Sequence, residues 1–106
     1  MTEEVAMSVA SAPLTELEAH YPEVITAMGA TFASHEFVLA LARRFERVYV
    51  AALAEHASCE RPFQAVNDML AERLANFPSL VAKTGERTVT DFFGNLQRAS
   101  VWRKLC

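Results

Sequence analysis

Apolar residues recur along most of this chain at the spacing of a helix buried on one face. From Leu14 to Met28 the positions Leu14, Leu17, Tyr21, Val24, Ile25 and Met28 follow steps close to three and four, which predicts a helical region over Leu14–Ala30. Pro22 falls inside it. Proline is tolerated in a first turn but costly in a helix interior, so a kink or a pair of short helices joined near Tyr21 is expected. Gly29 ends the segment and Ser34 is placed to cap the next, with Glu36 in its first turn where the helix dipole favours an anion.

The longest periodic run lies between His35 and His56. Phe37 or Val38, Leu41, Phe45, Val48 and Ala52 form its stripe, widened by Tyr49, Leu53 and His56, and one continuous central helix is predicted. Residues 57–61 read as a turn. Pro62 opens a third helix at its first position, with Phe63, Val66, Leu70, Leu74 and Phe77 buried and Pro78 as its stop. The opposite face of that helix carries Gln64, Asp68 and Glu72, flanked by Asn67, Arg73 and Asn76.

Beyond Pro78 the pattern changes. Val81, Thr84, Thr88, Val89 and Thr90 surround Thr84-Gly85, which predicts a short hairpin with its turn there. Asn95 can then cap a last helix with Leu96, Ala99, Trp102 and Leu105 along one side. The expected fold class is therefore all-α, a compact bundle of about four helices with one short β-hairpin. Residues 1–12 are expected to be a disordered tail and 13–106 a single helical domain.

The order of helices followed by a small basic hairpin resembles winged helix-turn-helix domains over residues 35–90, with Pro62–Phe77 in the place of the recognition helix and Leu80–Val89 in the place of the wing. That resemblance implies contacts from the hairpin to nucleic-acid phosphates. The length of the helix over 35–56 and the acidic Asp68 and Glu72 depart from the pattern.

Charge adds a second signal. The net charge is −3, yet residues 1–82 hold 5 basic and 11 acidic side chains while residues 83–106 hold 5 basic and 2 acidic ones. The basic end supplies Lys83, Arg87, Arg98, Arg103 and Lys104 as candidate nucleic-acid contacts. The acidic part supplies the alternative, in which Gln64, Asp68 and Glu72 engage a basic protein surface. In the first reading the chain is a non-catalytic binding module for nucleic acid. In the second it is an acidic inhibitor or adaptor, of the kind bacterial phages and mobile elements direct at nucleic-acid-handling complexes. A second copy of the chain is also among the partners considered.

Catalytic and metal chemistry find little footing. His35-Glu36 opens like a zinc-protease helix, but Leu39 stands where the second histidine is needed. His56-x-x-Cys59 is half a zinc site, and the other thiol is Cys106. The three glycines are too scattered for a phosphate-cradling loop. No catalytic residue, metal or cofactor is therefore expected. With 52% hydrophobic residues and a mean hydropathy of +0.11 the chain can build a core, while no apolar run approaches the roughly 18 residues of a membrane span. Glu3 and Glu4 do not suit a signal peptide. Two distant cysteines make no disulfide framework, and a cytoplasmic setting is the expectation.

Overall fold

The computed structural model describes residues 12–90 and 94–105; the expected tail, apart from Ala12, lies outside them. The structure is mixed α/β rather than all-α. Helix α1 covers 12–19 and α2 covers Tyr21–Ala27. A three-residue strand, β1 (Thr31–Ala33), leads directly into α3 (Ser34–Arg44). Then come α4 (Glu46–Glu55), α5 (Pro62–Glu72), a 3-10 turn over Arg73–Asn76, and two long strands, β2 (Val81–Thr90) and β3 (Leu96–Lys104). The sheet is antiparallel with the order β1-β3-β2.

The helical expectations hold for the opening region and for the helix that starts at Pro62. The proline does divide the opening region into two short helices, with Pro22 in the first turn of α2. Leu14, Leu17, Tyr21, Val24 and Ile25 are all buried. Tyr21 is fully enclosed, packs edge-on against Phe37 and stacks on Phe77, and its hydroxyl donates to the Leu70 carbonyl. That one side chain therefore ties α2 to α3 and α5. Pro62 starts α5, and Val66, Leu70 and Leu74 are fully buried. The α5 end is tied back to α1 by Arg73 and Asn76, both of which donate to the Glu18 carboxylate.

The predicted continuous helix over 35–56 is broken. Phe45 adopts φ −129°, ψ 56°, outside the helical region, and separates α3 from α4. No glycine or proline causes this. Tertiary contacts hold the two sides instead: the His20 ring stacks on Phe45 at 3.9 Å, and Tyr49 donates to Asn67 Oδ1 at 2.7 Å. Beyond the kink Tyr49 and Ala52 are the buried positions, whereas Phe45 and Val48 are only half-buried. Ser34 is the first helical residue rather than the cap. Ala33 precedes the helix, and its N–H donates to Glu36 Oε1 at 2.8 Å.

The larger correction is C-terminal. No turn occurs at Thr84-Gly85; the strand runs through it with an irregular register between Lys83 and Gly85. The hairpin partner is the segment read as a helix, so no last helix follows Asn95, and the wing-like hairpin after α5 spans Val81–Lys104 rather than Leu80–Val89. The physical reason lies in which positions are buried. Trp102 is paired with Phe32 and lies on the sheet face that also carries Val81, and all three are in the helical core. Ala99 is buried on the opposite face. Two buried residues three apart on a strand lie on opposite faces, so a strand covered on both sides mimics helical spacing.

Candidate functional site

Helix α5 presents its polar side to strand β3 across a cleft of about 450 Å³. Gln64, Asn67, Asp68, Ala71 and Glu72 form the helix wall, and Pro62 and Arg61 stand at its start. Asn95 and the run Gln97–Ser100 form the strand wall, with Val89 beside them, and Ser34, His35 and Val38 close the space at the start of α3. The spacing of Gln64, Asp68 and Glu72 by four residues puts them on one helical face. All three candidates from the acidic reading thus meet in one place.

Side-chain amides organise the interior. Gln64 Nε2 donates to Asp68 Oδ1 at 2.8 Å and reaches Gln97 Oε1 on the facing strand at 3.4 Å. Asn67 is held by the Tyr49 hydroxyl from α4. Burial pushes the Tyr49 phenol up to about 12, with the Asn67 hydrogen bond opposing it, so that phenol stays a neutral donor through the physiological range. The wall is accordingly a set of oriented amide and carboxylate groups, suited to binding main-chain and cationic groups.

The five cations of the basic reading are not brought together. By the strand register Lys83, Arg98 and Lys104 share one face of the ribbon, while Arg87 and Arg103 lie on the other. Most already have partners. Arg98 donates to Glu86 Oε1 through Nε and Nη2 at 3.1 and 3.0 Å, and Lys83 Nζ reaches Glu86 Oε2 at 3.3 Å. Those hydrogen bonds, Arg98 first, hold the exposed Glu86 carboxyl below the usual carboxylate range. Arg87 pairs with Glu36 at 3.2 Å, and Lys104 Nζ donates to the Thr26 carbonyl at 3.2 Å. Arg103 is exposed.

The metal candidates stay apart. His56 Nδ1 is 2.9 Å from the Ala52 carbonyl and Cys59 is exposed in the following turn. Among the described residues no three histidine, cysteine or acidic side chains are grouped to hold a metal ion. No described helix is long and apolar enough to cross a membrane.

Of the strand wall the sequence reading singles out Arg98 alone, and for a different partner; with Asn95 as a cap, it places Gln97 and Ser100 in a helix, whose faces would scatter them. The available signal was the run Thr88-Val89-Thr90, a strand with few apolar residues of its own that needs a paired neighbour. Compared with known protein families, curated proteins and solved structures, the chain matches none.

Proposed function

We propose that this chain is a non-catalytic protein-binding module whose α5/β3 cleft receives a basic segment of a partner. The observation that supports this reading is that Gln64, Asn67, Asp68 and Glu72 line one wall of a half-open groove facing β3, with the Asp68 and Glu72 carboxylates exposed to an incoming partner. Oriented carboxylates at a groove wall steer and register a cationic partner more than they add raw affinity. The nucleic-acid reading loses support from the division of its five cations between two ribbon faces and from the pairing of three of them, Lys83 and Arg98 with Glu86 and Arg87 with Glu36.

The two readings part on paired variants. Under the cleft reading, Asp68→Lys with Glu72→Lys lowers the association rate of basic peptides on the order of tenfold at low salt, and Lys83→Ala with Arg87→Ala leaves it unchanged. Stopped-flow or surface-based kinetics at two salt concentrations measures this. Duplex DNA binding by the wild type that Lys83→Ala with Arg87→Ala abolishes would overturn the proposal.

A further inference from the structure

Strand β3 has two edges, and among the described residues only one is paired along its whole length. The β2 register covers Leu96 to Lys104, whereas the β1 register ends where Ala33 faces Val101. The next residue, Ser34, already belongs to α3. The chain leaves the strand there, and among the described residues no strand pairs with β3 from Leu96 to Ser100 on that side.

The direction of its backbone groups follows from two bonds at the strand's far end. Lys104 N–H donates to the Ala30 carbonyl on the β1 side at 2.8 Å, and Leu105 N–H donates to the Leu80 carbonyl on the β2 side at 2.9 Å. Peptide groups alternate sides along a regular antiparallel strand. The irregularity in the hairpin lies on β2, between Lys83 and Gly85. Leu96, Arg98 and Ser100 therefore aim their N–H and C=O groups toward the unpaired side. That side is the cleft, since the consecutive residues Gln97 to Ser100 all line it, as an edge does and a single face does not.

Resting on the cleft reading above, we propose that the partner enters as an extended strand that adds to the β3 edge at Leu96–Ser100 and presents lysine or arginine side chains to Asp68 and Glu72. Main-chain hydrogen bonds to Arg98 and Ser100 hold such a strand, and alternate side chains meet the α5 wall. The choice of charge comes from that wall, which places Asp68 and Glu72 along the groove, while of the arginines lining it Arg61 stands at its start and Arg98 on the facing strand is paired with Glu86. The amides of Gln64 and Gln97 exchange their mutual contact for the incoming backbone. The outer edge of β2 is a poorer acceptor: its register irregularity and its charged Lys83, Glu86 and Arg87 are features that keep edges from pairing.

The probe is a displayed library of random linear peptides selected on the full chain. The expected result is a set of peptides with basic residues at alternating positions whose binding falls about tenfold or more with Arg98→Pro and is retained with Arg98→Ala. Proline removes an N–H that faces the cleft, a position a strand tolerates, so the hairpin survives while the acceptor edge is lost. Amide hydrogen exchange on the unmodified protein gives a second measurement that needs no variant: added peptide slows exchange at Arg98 and Ser100. Peptides that bind Arg98→Pro at full strength, or that leave those amides unprotected, overturn strand addition; if Asp68→Lys with Glu72→Lys still abolishes binding, the cleft reading stands without it. Binding indifferent to both sets of changes, or no selected peptide, overturns both. Protection of Arg98 and Ser100 that rises with protein concentration alone assigns the edge to a second copy and overturns the peptide proposal.

Discussion

At the scale of single residues, the two tyrosines carry the clearest consequences. They are the only tyrosines in the chain, and both rings are buried with hydroxyls that donate to named acceptors. Burial raises both phenols above their ordinary 10.0, Tyr49 to about 12 and Tyr21 further. The unfolded chain therefore loses these protons first. Stability from this source is complete below about pH 10 and is lost as pH rises toward 12. A spectrophotometric titration of the folded protein should show no tyrosinate at pH values where free tyrosine is half ionised, and release should coincide with unfolding. Tyr21→Phe should cost about 1–3 kcal/mol in chemical denaturation, because the Leu70 carbonyl loses a buried donor. A normal phenol titration in the folded state would mean these rings are not enclosed.

At the scale of elements, the hairpin is where reading and structure diverge, and its glycines test the difference. Gly85 was read as a turn but lies within β2, with nothing within 4 Å of an added Cβ and no left-handed backbone. Gly85→Ala should therefore be neutral or stabilise by up to about 1 kcal/mol, since alanine restricts the unfolded chain. Gly94, beyond the end of β2, has φ +83°. Gly94→Ala should cost about 1–2 kcal/mol from the left-handed penalty. Thermal melts of the two variants decide it; a large loss at Gly85 with none at Gly94 would restore the original turn. The helices were legible because each buries one face, so Leu17, Val24, Leu41, Val66 and Leu70 repeat at helical steps. Strand β3 was not, because Ala99 and Trp102 are buried on opposite faces and leave the same spacing of three. The kink at Phe45 had no local mark at all, being held by His20 from the turn between α1 and α2 and by the Tyr49–Asn67 bond to α5.

At the scale of the whole molecule, Trp102 joins the sheet to the helices. It is the single tryptophan, 8% exposed, packed in the same core as Tyr21 and Leu70. Its emission should be blue-shifted in the folded state and shielded from iodide. If helices and sheet share this one core, the fluorescence and far-UV circular dichroism transitions in urea should coincide. A fluorescence transition that precedes the loss of helix would show the sheet separating from the helical body.

Local order determined much here: periodic burial located most of the helices, Pro22 and Pro62 set two helix starts, and the four-residue spacing of Gln64, Asp68 and Glu72 put them on one face. Those are consequences of steps along a single segment. What that face looks onto was decided by tertiary structure. The pairing of β3 with β2, the early end of β1 at Ala33 and the start of α3 at Ser34 together set the α5 stripe along a half-open cleft beside a strand edge with no strand paired to it among the described residues. Strand partners are chosen by contacts between residues distant in the chain, and no spacing within either segment records them.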